Sequence, residues 1–292
     1  MTTAVATPPP KAVLDTVARK SIRRFSRHVG GMIGLVLLLL LVATAVFAPA
    51  IAPYDPLAVA PIDALLPPSS EHWMGTDTLG RDVMSRVIFG TRISLRLGLV
   101  SVSIALSLGV LIGVLAGYLG GRVDGLLMRV IDVLLAFPSL ILALVAVFAL
   151  GPGLTNAMIA VGISTIPAFA RITRGEVLSA KENLYVQSAQ ALGASTSTVM
   201  FRHILPNIIA PNIVMAALMT GTAILAGAAL SFLGLGAQSP TPEWGLMLSQ
   251  GRAFMSLAWW LTLFPGLGIM LTVMAMNLLG DGLRDVLDPR LG

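Results

Sequence analysis

Six long stretches of uncharged, mainly apolar residues constrain the fold of this chain more than any other feature of its sequence. An α-helix rises 1.5 Å per residue, so roughly 17 to 25 apolar residues are enough to cross about 30 Å of hydrocarbon. The stretches therefore predict an all-α, polytopic membrane protein with six transmembrane helices. The predicted spans are residues 29–52, 97–121, 133–150, 154–170, 208–233 and 257–280.

Two of these assignments depend on local signals. Residues 133–170 carry no charge and are too many for one span, and Gly151-Pro152-Gly153 divides them with a short turn. Residues 29–52 follow basic residues, as in a secretory signal, but they exceed the about 7 to 15 apolar residues of a signal. We therefore expect a retained membrane anchor there.

The composition excludes several kinds of function. Charged residues make up 11% of the chain, against about 25% in a typical soluble domain. There is no cysteine, which excludes disulfides and thiolate metal sites, and the three histidines are scattered, so we expect no metal. No lysine lies in a Gly-Lys-Ser/Thr phosphate loop, so we expect neither ATP hydrolysis nor a cofactor within the chain. The predicted spans have no ionisable residue in their interiors, which disfavours proton-driven transport.

The positions of lysine and arginine predict the orientation. Of these 19 residues, 14 lie in the two termini and in the second-to-third and fourth-to-fifth connections. Because positive residues favour the cytoplasmic side, both termini are predicted to be cytoplasmic, and the net charge of +5 needs no nucleic-acid partner. The basic tail either lies along the anionic inner leaflet or is disordered. The predicted organisation is a cytoplasmic basic tail (1–28), a first transmembrane helix (29–52), a periplasmic loop (53–93), a core of five transmembrane helices (94–280) and a cytoplasmic tail (281–292).

The longest predicted cytoplasmic connection, residues 171–206, is not a simple polar linker. Apolar and polar residues recur there at helical spacing, Gly193 permits a turn, and the segment ends at Leu205-Pro206. This pattern predicts a helix, a glycine turn and a second helix. Such a hairpin is either a lever that transmits force to the neighbouring spans or a surface element packed on the lipid head groups.

The same segment resembles the Glu-Ala-Ala loop of ABC-importer permeases. Ala189, Gly193, Leu205 and Pro206 match that pattern in register, whereas Gln187 and Ser188 stand where the pattern has Glu and Ala. The resemblance implies that the loop docks as a coupling helix on a separate ATPase subunit, which binds ATP and Mg²⁺. The residues that it assigns to this contact are Gln187, Ser188, Ala189, Leu192, Gly193, Ala194, Leu205 and Pro206.

Three further stretches are similar to those of dipeptide and oligopeptide permeases and indicate the C-type subunit. They are residues 75–95, residues 230–245 and residues 280–290. The resemblance implies a type I ABC-importer fold in a bacterial inner membrane. It also implies a homologous second permease in a heterodimer, ATPase subunits, an extracytoplasmic substrate-binding protein and surrounding lipid as partners.

Within these stretches the sequence suggests two kinds of site. Charges of alternating sign predict ion pairs with a scaffold role, and those near the C-terminus could brace the coupling loop. The acidic and aromatic pair Glu243-Trp244 is a candidate contact for a peptide amino terminus or a docked binding protein. Met215 and Met219 suit helix packing or a path tolerant of many side chains. The predicted structural-motif residues are Gly75, Asp77, Gly80, Arg81, Asp82, Arg86, Asp281, Arg284 and Asp285.

The sequence therefore favours a peptide-importing ABC permease subunit that is not itself an enzyme. The nearest alternative keeps the same machinery but carries nickel chelates or glutathione. A less favoured alternative is an ion-coupled carrier or passive channel that works without nucleotide. A membrane scaffold without transport is the least favoured, because the lever-like loop would then have no task.

Overall fold

The computed structural model describes residues 23–287, which form α-helices and short turns and contain no β-strand. The predicted all-α, multi-span architecture is confirmed for these residues, whereas most of the basic tail, and Arg290, lie outside them. The helices are α1 (Val29–Ile51), α2 (Val83–Leu119), α3 (Gly121–Leu135), α4 (Ser139–Leu150), α5 (Leu154–Lys181), α6 (Leu184–Ala191), α7 (Thr196–Phe232), α8 (Trp244–Gly251) and α9 (Trp260–Leu287).

Five of these helices, α1, α2, α5, α7 and α9, are long and apolar enough to cross a membrane. A sixth span exists only if α3 and α4 are counted together, and these two are bent by 97°. The predicted span over residues 133–150 is interrupted, because α3 ends at Leu135 and α4 begins at Ser139. Pro138 removes a backbone donor and disfavours helical backbone at the residue before it, so the chain turns between α3 and α4. Asp124, Arg129 and Asp132 lie on α3.

Several helices extend beyond the predicted spans. The prediction of a loop through residue 93 is wrong, because α2 begins at Val83, where the Asp82 side chain accepts a hydrogen bond from the Ser85 amide. With 37 residues, α2 is about 55 Å long and projects well beyond the hydrocarbon. Likewise α5 continues 11 residues past its predicted end, and α9 reaches Leu287 rather than ending at residue 280.

The centre of the bundle is the parallel pair α2 and α5. Gly109, Gly113 and Gly117 form one stripe on α2 that meets the backbone of α5 directly. A Cβ at Gly113 would lie 2.6 Å from the Thr173 Cβ and 2.7 Å from the Ala170 carbonyl oxygen. Small residues spaced four apart allow this approach, which maximises van der Waals contact where the solvent is lipid.

The pairing gives the bundle two distinct ends. The end that carries α6, here the coupling end, is where α2 and α5 both have their C-termini. The opposite end, here the loop end, carries residues 52–82 and α8. Gly31 in α1 packs on Gly282 in α9, so the start of α1 and the end of α9 lie together. They lie at the coupling end, because α9 runs antiparallel to α7, with Gly280 against Leu218.

Candidate functional sites at the two ends of the bundle

At the coupling end, α6 forms the predicted helix before a glycine turn. Its Val186 side chain is fully buried in a cluster with Val177, Val199 and Ile204, which fixes the helix against the bundle. Gly193 has a φ of 80°, a backbone conformation that glycine adopts without strain. The Ala194 amide closes this turn on the Ala189 carbonyl. The hairpin is therefore rigidly held rather than a loose linker.

The outward face of α6 ends in two exposed leucines. Leu184 is 79% exposed and Leu192 is 88% exposed. Both lie on one face of the helix, since they are eight residues apart. The structure exposes Gln187, Ser188, Leu192, Gly193 and Pro206, and it half-buries Ala189, Ala194 and Leu205.

The connection between α5 and α6 also holds the end of α2. The Lys181 Nζ donates to the Tyr118 carbonyl at 2.8 Å and lies 5.4 Å from the centre of the Tyr118 ring. The Gln190 side-chain amide donates to the Tyr118 hydroxyl at 3.2 Å. Two elements of the hairpin thus contact one residue at the C-terminus of α2.

The half of α5 nearest the coupling end makes polar contacts with α3 and with α7. Arg174 makes a bidentate ion pair with Asp124 of α3, with both N–O distances at 2.6 Å. Arg171 pairs with Asp132, which also lies on α3. The Thr173 hydroxyl donates to the buried Asn212 side-chain oxygen of α7 at 2.8 Å. Polar contacts thus join the part of α5 next to α6 to both α3 and α7.

The second helix of the hairpin differs from its prediction. It does not end at Leu205-Pro206 but runs on into α7, so hairpin and span form one rod of 37 residues. Proline is tolerated at Pro206 because it lies in the first turn of the α-helix Leu205–Phe232, directly after the π-helical segment Val199–Ile204.

At the loop end, a buried charge cluster holds the connection before α2. Asp77 accepts from the Arg81 Nε at 2.7 Å and lies 3.5 Å from the Arg86 Nε. Arg86 is 1% exposed and also donates to the Pro56 carbonyl at 3.1 Å. The predicted pair between Asp77 and Arg81 is present, but in a turn instead of a helix.

The neighbouring motif residues close the same loop. Asp82 accepts from the His72 Nδ1 at 2.9 Å while it caps α2. Gly80 has a φ of 72°, and a Cβ there would lie within 1.8 Å of the Ala60 carbonyl oxygen. A Cβ on Gly75 would lie 2.7 Å from the Leu66 carbonyl oxygen. These contacts place the six predicted motif residues of this loop in one packed unit.

Glu243 and Trp244 are buried, so the prediction that they meet a peptide or a docked protein is wrong for this conformation. Glu243 is 0% exposed, and its two carboxylate oxygens accept from the Gly245 and Leu246 amides at 2.9 and 2.8 Å. Burial raises the pKa of the Glu243 carboxyl, and the two amide donors oppose that rise. Trp244 is 1% exposed, packs on Gly90 and Gly268, and donates from its indole to the Val87 carbonyl.

The remaining predicted residues have simpler surroundings. Met215 and Met219 are half-buried and pack on the main core cluster. Asp285 pairs with the His28 Nε2 at 2.9 Å, so it braces the start of α1 and not the coupling loop as expected. Asp281 and Arg284 are exposed and make no ion pair within residues 23–287.

Comparison with known proteins decides the family. Residues 109–292 match the model of the binding-protein-dependent transport system inner membrane component. Residues 16–68 match the N-terminal transmembrane domain of oligopeptide transport permease C.

The chain belongs to this permease family. It is a C-type permease of an ABC importer and a multi-pass protein of the bacterial inner membrane. Proteins of this family are transport subunits and not ATPases.

Three relatives cover nearly the whole permease. A dipeptide transport system permease, DppC of Alkalihalophilus pseudofirmus, is 44% identical over 100% of this chain and 96% of its own length. A di/tripeptide permease, DppC of Pseudomonas aeruginosa, is 47% identical over 97% and 95%. A glutathione transport permease, GsiD of Shigella flexneri, is 51% identical over 92% and 89%.

Sequence reasoning missed three features of these sites. The spacing of Gly109, Gly113 and Gly117 was a visible signal of close helix packing. Leu184 lies two turns before Leu192 on the same helical face and could have been assigned to the coupling surface. The pair of Arg174 with Asp124 had no local signal, because 50 residues separate the two.

Proposed function

We propose that this permease moves di- or oligopeptides into the cell, driven by ATP hydrolysis on a separate subunit. The support for the peptide cargo is the pair of peptide-named relatives that match over almost their whole lengths. Glutathione is the second candidate, since a permease of that name is 51% identical. Glutathione is itself a modified tripeptide, so the two cargoes share their chemistry.

The observation that carries the mechanism is the rigid hairpin with an exposed apolar face at the coupling end. In this proposal α6 docks in a groove of the ATPase subunit through Leu184, Leu192 and the Gly193 turn. ATP and Mg²⁺ bind to the ATPase and not to this chain. Closure of the ATPase pair displaces α6, and the contacts of α5 and α7 carry that displacement into the bundle.

The rest of the assembly follows from the same proposal. A homologous second permease completes a heterodimer, and an extracytoplasmic binding protein delivers the substrate at the loop end. Both termini then face the cytoplasm together with α6, which agrees with the contact between His28 and Asp285 at the coupling end. The buried cluster around Asp77 and Arg86 serves as the scaffold of the loop end.

A reconstituted system tests this function. Proteoliposomes with both permeases, the ATPase subunits and the binding protein are given labelled dipeptide, tripeptide, glutathione or a nickel chelate. We expect uptake of the peptides with ATP and none with a non-hydrolysable analogue. Uptake of the nickel chelate but of no peptide would contradict the proposed peptide cargo. Gradient-driven uptake in proteoliposomes that contain only this chain would contradict the ATP-driven mechanism.

A further inference from the structure

A cavity of about 940 Å³ opens at the loop end between α1, α2 and the start of α5. Two exposed arginines of α2, Arg92 and Arg96, line it on one side. Asp55, in the turn after α1, lines it as well. The volume falls in the range of ligand sites, which is about 300 to 1,000 Å³.

The two arginines differ from the other arginines of this segment. Arg81 and Arg86 are buried and face Asp77. Arg92 and Arg96 have no ion-pair partner within residues 23–287, although they lie one turn apart on the same helical face. Like charges at this spacing repel each other, so the pair destabilises the empty site and favours an anion between the two guanidinium groups.

The cavity also presents a fixed carboxylate. The Asp55 Oδ1 accepts from the Leu57 amide at 2.8 Å, and its other oxygen makes no hydrogen bond within the described part of the chain. The remaining walls are largely apolar and include Pro49, Phe89, Ile93 and Leu154. Charges of both signs with apolar surface between them suit a small zwitterion with variable side chains.

We propose that this cavity binds a short peptide by its two ends, with the carboxylate on Arg92 and Arg96 and the ammonium group on Asp55. This inference rests on the proposed import of peptides. The cavity would be the place where the permease first binds its peptide. It also replaces Glu243 and Trp244, whose burial removes them from such a role. A phospholipid head group carries a similar pair of charges, and the experiment separates the two ligands.

The test uses the assembled complex in phosphatidylcholine nanodiscs without the binding protein, so that the selectivity of the binding protein does not enter. A dipeptide that contains benzoylphenylalanine and has both ends free is photolysed, and the labelled segments are found by mass spectrometry. We expect labelling within residues 49–57 or 89–96, or at the other wall residues Leu154 and Pro242. In the double variant R92Q/R96Q labelling falls at least about tenfold, and a C-terminally amidated dipeptide competes about tenfold more weakly than the free acid.

Matched variants make the result specific. The control R122Q/R129Q removes two exposed arginines from α3 and leaves labelling unchanged. The variant R92K/R96K keeps the charges and retains most of the labelling. Labelling elsewhere, labelling that survives R92Q/R96Q, or equal competition by the amidated peptide would overturn the proposal. So would native mass spectrometry that finds a co-purified phospholipid lost only in R92Q/R96Q.

A parallel measurement of ATP-driven dipeptide uptake, with the binding protein present, distinguishes failure of this proposed site from failure of the proposed function. If the wild-type complex imports peptides but the labelling does not depend on Arg92 and Arg96, only this site is wrong. If it imports no peptide, the proposed function itself is wrong.

Discussion

At the start of α8, the Glu243 side chain accepts hydrogen bonds from the Gly245 and Leu246 backbone amides. The first amides of a helix lack partners within it, and here they are also shielded from water. In the sequence, an acidic residue next to a tryptophan in a loop suggests a recognition site. In the structure, that carboxylate instead caps the buried start of a helix. Burial is a property of the whole bundle, so the local pattern cannot reveal it.

Replacement of this cap gives the first prediction. Glu243→Ala leaves the Gly245 and Leu246 amides buried without an acceptor and should lower the free energy of unfolding by about 1 to 3 kcal/mol. Glu243→Gln keeps one acceptor oxygen and should cost clearly less. Thermal unfolding of the purified permease in detergent measures both. Equal stability of the Ala variant and the wild type would contradict the capping role.

At the scale of helices, length and apolar content were sufficient to predict five of the spans, but not the bend within the remaining one. The turn at Gly151-Pro152-Gly153 is where its residues indicated, since two glycines and a proline leave few alternatives. The break before Ser139 was missed, although Pro138 marks it, because apolar residues continue across it. The long α2 was missed because its charged first turns are stabilised by contacts with distant loops, which no local pattern records.

The glycine stripe of α2 leads to a second prediction. Gly113→Leu forces α2 and α5 apart and should destabilise the permease by about 1 to 3 kcal/mol, because neither helix backbone can move aside freely. Gly175→Leu is the matched control, since no atom lies within 4 Å of a Cβ at that exposed position of α5. Thermal unfolding in detergent measures both variants. If the two leucine variants lose the same stability, the close helix contact is not what holds this pair.

The two ion pairs between α3 and α5 support a third prediction. Asp124→Asn or Arg174→Gln should lower the peptide uptake per ATP hydrolysed, and the swap D124R/R174D should restore part of it. A double-mutant cycle should give about 0.5 to 1 kcal/mol of coupling in stability.

The pair of Arg171 with Asp132 is the internal control for that cycle. The Arg171 and Asp132 side chains are 60% and 57% exposed, against 33% and 19% for Arg174 and Asp124. Because solvent screens exposed charges more strongly, the coupling free energy of the exposed pair should be the smaller of the two. Larger coupling in the exposed pair would show that α3 is not held to α5 in the way described.

At the scale of the whole molecule, the two ends of the bundle carry different structural features. The coupling end has a helix with two exposed leucines, which packs on α5 and α7 and is hydrogen-bonded to α2. The loop end has a buried charge cluster and an open cavity. This arrangement fits a subunit that receives solute at one end and force at the other.

The absence of cysteine allows a direct test of orientation. Ser188→Cys, on α6, and Ser70→Cys, in the loop before α2, each introduce one exposed thiol. With a membrane-impermeant maleimide on spheroplasts, we expect labelling of Ser70→Cys at once and of Ser188→Cys only after lysis. The reverse pattern would place the coupling end outside the cell and contradict the proposed coupling to a cytoplasmic ATPase.

Site-specific photocrosslinking from the tip of α6 tests the central claim most directly. Benzoylphenylalanine is placed at Leu192, or at Ile62 of the loop end as an equally exposed control, and intact membranes are irradiated. We predict a covalent adduct between position 192 and an ATPase subunit, absent from position 62. Adducts of position 192 with lipid alone, or with a second copy of this chain, would show that α6 is a surface hairpin and not the link to ATP hydrolysis.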